Sequence, residues 1–205
     1  MTVDDRGPIA GIVLAAGMSR RLGRPKQLLD LNGKPLVMHV VERAMASQLD
    51  RVLVVTGHEW ERIASALEPV NADLVFNPGF ADGQSTSLIA GLRALAAETD
   101  AVVVLLGDQP IVSTLAISGL VERRRQYGDA IVMTGYGEIR SHPVLFGREL
   151  FGELLAINGD QGAREVIRRH SGEVVVIDSG EDAPPGDVDT EEAYAQLLEK
   201  WEHHR

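Results

Sequence analysis

At 205 residues, 44% hydrophobic and 24% charged, the chain has the composition of one ordinary globular domain with a sizeable core. A net charge of −10 argues against a general nucleic-acid binder, the lack of cysteine removes disulfides and thiolate metal sites, and no apolar stretch approaches the ~20 residues of a membrane span. Asp4 and Asp5 precede Arg6 with no signal-peptide pattern, so a cytoplasmic location is expected, with neither nucleic acid nor membrane as partner.

Residues 9–16 (IAGIVLAA) read as a first strand, apolar enough to be buried on both faces. The run empties at Gly17 into a loop reaching Lys26 that carries Arg20, Arg21, Arg24 and Lys26 and no acid. In an acidic protein this suits a strongly anionic ligand. Glycine admits close backbone approach, and Arg21 and Lys26 supply fork and point-charge donors. The plain alternative is a solvated basic loop, and Arg20 and Arg24 individually fit it.

Pro35 starts a helix over 36–46, and 51–56 (RVLVVT) is a second strand. A helix over 59–67 and a short strand over 72–76 follow. The loop from Asn77 to Gly83 then runs into a helix over 85–97. Ser85 and Ser87 lie in its first turn, where free N–H groups and the helix dipole favour an anion; ordinary capping is the alternative. Residues 101–106 (AVVVLL) form the most apolar run, hence a central strand, and end in Gly107-Asp108-Gln109-Pro110. Asp108 is placed for a hard divalent cation, or for turn chemistry.

A helix over 113–127 and a strand over 130–134 lead to a turn at 135–138 and a short strand over 142–146. His142, at its start, reads as an acid/base group or a packed strand-end histidine. A helix covers 149–156, and another starts near Asp160, its simplest N-cap. Arg164, one turn in, reaches a ligand phosphate or stays in solvent. A strand over 173–177 and a proline-containing loop over 180–186 precede Asp187-Val188-Asp189-Thr190-Glu191 and a closing helix over 191–201. Asp189 is a second candidate metal carboxylate beside Asp108, or with Thr190 a helix cap. Asp187 ranks lower, on the expectation that an extended segment turns it to the opposite side. The tail His203-His204-Arg205 reads as surface.

Strands alternating with helices imply a parallel sheet covered on both faces, with ligands beyond the carboxyl ends of the strands. The loops after residues 16, 76 and 106 fall there.

The run Leu14-Ala15-Ala16-Gly17-Met18-Ser19-Arg20-Arg21-Leu22-Gly23 with Lys26 resembles the signature of sugar-phosphate-type nucleotidyltransferases. Together with NP…GQSTSL, GDQP, HPVLF, GDQGAR and DVDT it is similar to the molybdenum cofactor cytidylyltransferase family, from Ile9 to about Tyr194. The resemblance implies an α/β fold: a single Rossmann-like three-layer domain spanning 1–205, with a mostly parallel sheet and helices on both faces. It implies a Mg²⁺-dependent transfer of CMP from CTP to a molybdopterin-type acceptor, and a molybdenum hydroxylase apo-enzyme as a further partner. Catalysis falls to Lys26, Arg21 and Asp108. The nucleotide falls to Leu14, Ala15, Ala16, Gly17, Ser19, Arg21, Lys26, Gly83, Ser85, Ser87 and Asp108. Gln109, Pro110, His142, Pro143, Asp160 and Arg164 lie on the acceptor side, and Asp108 with Asp189 hold the metal. The chain departs from the family pattern at Glu191, usually proline, at Ala193, usually an acid, and over 137–141, usually glycine-rich. Another phosphorylated acceptor, GTP in place of CTP, or a non-catalytic carrier of the finished cofactor are the alternatives.

Overall fold

The computed structural model describes residues 6–70 and 72–203. Asp4, Asp5, His204, Arg205 and the side chain of His203 lie outside that description, and with them the readings of both termini.

Nine strands and seven α-helices follow one another in chain order among the described residues: β1 Ile9–Leu14, β2 Asp30–Leu31, β3 Lys34–Pro35, α1 Leu36–Met45, β4 Arg51–Thr56, α2 Trp60–Leu67, β5 Asp73–Phe76, α3 Gln84–Arg93, β6 Ala101–Leu106, α4 Thr114–Tyr127, β7 Ile131–Tyr136, β8 Ile139–Gly147, α5 Phe151–Leu155, α6 Arg164–Arg169, β9 Val174–Asp178 and α7 Glu191–His203. Seven strands make the main sheet, in the order β5-β4-β1-β6-β8-β7-β9. All its pairings are parallel except the two made by β8. β1 and β6 sit at its centre, which is why IAGIVL and AVVVLL carry almost no polar residue.

Alternate residues of the central strands feed two cores. Ile9, Val13, Val103 and Leu105 pack under α1, α2 and α4; Ile12, Val102 and Val104 pack under α3, α5 and α6. This is the expected three-layer α/β arrangement. A third, smaller cluster joins Leu29, Leu31 and Leu36 to Val188 and Leu197, and so seats α7 against the β2–β3 hairpin. That hairpin is absent from the sequence reading, because two-residue strands carry no periodicity to detect.

In the main sheet, one strand runs antiparallel to both its neighbours. Because β8 runs against its neighbours, it delivers its first residues to the edge where β1, β4, β5 and β6 deliver their last. The β7–β8 register jumps between Met133↔Val144 and Thr134↔Ser141, so His142 and Pro143 stand out of the ladder. A proline fits there, having no N–H to lose. The freed carbonyls are still satisfied. Thr134 Oγ1 donates to Pro143 O at 2.8 Å, and Tyr136 Oη donates to His142 O at 2.9 Å.

Several boundaries differ from expectation. β7 runs on through Tyr136, leaving only Gly137 and Glu138 as the turn, and β8 has nine residues where five were expected. α3 stops at Arg93, since Ala94 and Leu95 close tighter i→i+3 bonds to Gly91 and Leu92. Asp160 does not cap its own helix. It lies in a 3₁₀ turn over Gly159–Gln161, α6 begins only at Arg164, and its carboxylate instead accepts from Gln84 N at 3.3 Å, at the start of α3. No helix among the described residues is long and apolar enough to cross a membrane.

Away from the ligand edge, Arg124 closes the opposite end of the sheet. Its guanidinium, 4% exposed, bonds Asp100 at 2.8 and 3.0 Å, Glu149 at 2.8 and 3.1 Å, and Gly128 O at 2.9 Å. Arg124→Ala leaves Asp100 without its partner. Loss of one member of a buried pair costs roughly 3–5 kcal/mol; with Glu149 partly in solvent, the low end is expected here. Urea unfolding of the variant measures it, and a loss near zero would show the network to be merely superficial.

Candidate active site

The edge formed by the carboxyl ends of β1, β4, β5 and β6 and the amino end of β8 opens into a cleft of about 570 Å³, within the size range of small-molecule sites. Leu14, Ala16, Gly17, Ser19, Arg21 and Lys26 line it from the first loop. Gly83 and Ser87 line it from the start of α3, and Asp108 and Gln109 from the loop after β6. His142, Asp160, Arg164 and Asp189 complete the set that the sequence nominates. Ala15, Ser85, Pro110 and Pro143 are not among the lining residues. Ala15 is buried in the core, and Ser85 is buried without facing the cleft.

The basic loop is braced from inside. Ser19 takes a left-handed φ of 51°, and its carbonyl accepts from Leu22 N and Gly23 N at 3.1 and 3.0 Å. Its hydroxyl accepts from Lys26 N at 3.0 Å. Gln27, buried, reaches Gly17 O with Nε2 at 3.2 Å. Ser19 thus holds the loop as well as facing the cleft. Gln27 escapes the sequence reading; its signal is an amide standing just before the apolar Leu28 and Leu29. Gly17 answers no steric or conformational demand of the fold. A Cβ there would meet only Gln27 Nε2, at 3.6 Å.

Three of the loop's four charges, those of Arg21, Arg24 and Lys26, are matched by acids of the C-terminal stretch, and Lys26 also by Asp108. Lys26 Nζ lies 2.5 Å from Asp108 Oδ2 and 2.6 Å from Asp189 Oδ1. Arg21 pairs with the other oxygen of Asp189. Arg24 forks onto Glu191 at 2.9 and 2.7 Å and stacks over Tyr194, 5.6 Å from the ring centre. Thr190 caps α7, accepting from Ala193 N at 3.2 Å. Asp189 is therefore free of capping duty and turns into the cleft.

Asp187 corrects the sequence reading. Residues two apart on an extended segment share a face. Asp187 accordingly lines the cleft with Asp189, while Val188 between them is buried in the third cluster. Its Oδ1 accepts from Gln109 Nε2 at 2.8 Å. The start of α3 is tied down by Asn77, whose Nδ2 donates to Thr86 Oγ1 at 2.9 Å and Ser87 Oγ at 3.1 Å. Gly83 must be glycine. It sits at φ 115°, and a Cβ would approach Asp160 Oδ1 and Gly159 O to 2.8 Å.

The electrostatics follow from burial and pairing. Burial pulls the Lys26 ammonium down, but Asp108 and Asp189 outweigh it and hold the ammonium above its ordinary value. Burial lifts the Asp108 carboxyl, with Asp187 adding to the rise, and Lys26 only partly offsets this. Burial also acts upward on Asp189, but Lys26 and Arg21 win and keep it below the usual carboxylate range. The site therefore holds a cationic lysine between two acids. Two hard carboxylates meeting at one point are the donor type that Mg²⁺ or Mn²⁺ takes. His142 is pushed down by burial, with Arg164 adding to it and Asp187 opposing, so it is neutral at pH 7.

Residues 11–174 match the family described as MobA-like NTP transferase domain. The nicotine blue oxidoreductase of Paenarthrobacter nicotinovorans is 30% identical over 201 residues, covering 93% of this chain and 96% of that protein. The structure of the Rv0371c homologue from Mycobacterium sp. strain JC1 superposes with a TM-score of 0.87 at 31% identity, over 98% of this chain and all of that one. The manganese complex of Rv0371c from Mycobacterium tuberculosis H37Rv gives 0.81 at 28% identity, over 94% and 98%.

His142 makes stability depend on pH. Its folded value lies below the unfolded one of about 6.5, so as pH falls through that value the unfolded chain takes the proton first and stability drops. Between pH 7.5 and 5 the melting temperature of the wild type is expected to fall further than that of His142→Asn. Parallel melting curves would show that His142 titrates alike in both states.

Proposed function

The chain belongs to the MobA-like NTP transferase domain family, and from that premise we propose that this nucleotidyltransferase, acting as one domain over its 205 residues, moves CMP from CTP to the phosphate of a molybdopterin-type acceptor and releases pyrophosphate. The observation that carries the reading is the meeting of Lys26, Asp108 and Asp189 in one cleft. That cleft has a basic loop at one side. At the other, Val144, Phe146 and Ile167 are interrupted by His142 and Arg164. The first half suits a triphosphate, the second a ring system bearing a phosphate.

In this reading Arg21 and Lys26 neutralise the triphosphate, and Gly17 leaves room for it to approach the backbone. Asp108 and Asp189 hold Mg²⁺, which when bound supplies further charge neutralisation on the phosphates. Ala16, Gly83 and Ser87 line the nucleotide side, and Gln109, His142, Asp160 and Arg164 the acceptor side. An oxygen of the acceptor phosphate forms a bond to the α-phosphorus as the bond to the β-phosphate oxygen breaks, and pyrophosphate leaves with that electron pair. A phosphate monoester is already an anionic nucleophile, so a neutral His142 need take no proton. Catalysis is positioning plus electrostatic stabilisation. The finished nucleotide cofactor passes to a molybdenum hydroxylase apo-enzyme. A pyrophosphate-release assay with each NTP and a panel of phosphorylated acceptors tests the assignment. Release with CTP and a molybdopterin acceptor supports it, and release only with another pair replaces it.

Two variant series sharpen the test. Asp108→Asn and Asp189→Asn are each expected to raise the Mg²⁺ concentration needed for half-maximal activity. The double variant should be little worse than the worse single one, because residues serving one ion act as a unit. If Asp189→Asn moves only the melting temperature, Asp189 is structural. Ala16 lines the cleft beside Phe80, and in this reading it borders the base of the nucleotide. A methyl group there takes room that a purine needs more than a pyrimidine does, a discrimination worth ~1–3 kcal/mol. Ala16→Gly is expected to relax, without reversing, the ratio of kcat/KM for CTP over GTP. A wild type that prefers GTP would overturn the cytidylyl assignment.

A further inference from the structure

Lys26 has two claims on it. Its ammonium sits between the two carboxylates that the proposed reaction assigns to a divalent cation, 2.5 Å from Asp108 Oδ2 and 2.6 Å from Asp189 Oδ1. The same ammonium is one of the charges that the proposed reaction assigns to the triphosphate. It cannot serve both at once. The triad is well enclosed, with side chains 16%, 11% and 26% exposed for Lys26, Asp108 and Asp189. A Mg²⁺ ion held by these two oxygens would take the volume the ammonium now fills.

The geometry points to Lys26 as an internal placeholder for the cation: without nucleotide its ammonium holds Asp108 and Asp189 together and keeps a free divalent ion out, and it swings to the phosphates when an NTP arrives. This rests on the reading of Asp108 and Asp189 as cation ligands. The loop itself need not move. The Lys26 backbone stays tied to Ser19 Oγ, and the four-carbon stem supplies the reach. Charge bookkeeping sets the order of events. A cation arriving alone must share two carboxylates with a lysine that has no other anion to go to, and at such distances like charges repel strongly. A cation arriving with phosphates finds the lysine provided for. Arg21 is the second cation facing the pair and Asp187 the nearest further acid, but neither stands between the two carboxylates.

Mn²⁺ binding to the nucleotide-free protein, read from the paramagnetic signal of free Mn²⁺, tests this without turnover. Lys26→Met is expected to bind one Mn²⁺ at least about tenfold more tightly than wild type. Adding Asp189→Asn to it should abolish the gain, and Lys26→Arg, which keeps the charge, should show none. Should Lys26→Met not fold, as thermal melting would report, Lys26→Gln carries the same test with a smaller gain. Mn²⁺ affinity equal to or weaker than wild type in a folded Lys26→Met or Lys26→Gln protein overturns the placeholder. The two readings fail separately. A protein that releases pyrophosphate but shows unchanged Mn²⁺ binding in these variants keeps the transferase assignment and loses the placeholder. One that is inactive with every NTP loses the transferase assignment.

Discussion

The ion triad of Lys26, Asp108 and Asp189 is the constraint on which the ligand edge depends. It joins three parts of the chain that share no local contacts: the loop after β1, the loop after β6, and the segment leading into α7. Each charge is partly withdrawn from water, so none could stand there alone. Removing Lys26 leaves the buried Asp108 without its cationic partner, which costs far more than the intact pair contributes. The arrangement is therefore poor evidence for stability and better evidence for a charged ligand that can replace one of its members.

The outer ion pairs differ in kind. Arg24 and Glu191 are each about half in solvent, and exposed pairs of this sort contribute little even in a forked geometry. What seats α7 is apolar. Leu197, Val188, Tyr194 and Trp201 pack against Leu29, Leu31 and Leu36. The ring of His39 meets Trp201 edge-on, while its Nε2 donates to Leu31 O at 2.8 Å. Tyr194 Oη donates to Asp30 O. This explains why Glu191 can stand where the resembling sequences have proline. Thr190 supplies the cap, the third cluster supplies the docking, and Asp189 keeps its place. The segment carrying Asp189 lies beyond the 11–174 family match, yet it completes the cleft.

The side of the cleft lined by His142 and Arg164 depends on one topological choice, the reversal of β8. A parallel strand in that position would have carried His142 to the far edge. Running backwards, β8 brings its bulged start to the cleft, and Tyr136 and Thr134 satisfy the carbonyls that the bulge frees. The same edge receives Arg164 from α6 and Asp160, whose carboxylate meets the start of α3. The α3 wall of the cleft and the turn carrying Asp160 are thus in contact through Gly83, which could carry no side chain there.

Much of this was legible in the order of residues. The runs at 51–56 and 101–106 matched those strands to the residue, because the middle of a strand buried on both faces is apolar, as VLVV and AVVVLL are. The acid-free cluster Arg20, Arg21, Arg24 and Lys26 stood out against a net charge of −10. Asp108 was marked by its place just past a buried strand. Short-range patterns of this kind depend only on neighbours in the chain. Other features were decided by contacts between distant segments. The direction of β8, the hairpin at Asp30–Pro35 and the long-range bond from Gln84 to Asp160 have no local signal. Nor could the sequence show that Lys26 lies between Asp108 and Asp189. Residues 82 and 163 positions away meet there only because the sheet gathers its carboxyl ends on one edge and α7 folds back over the loop.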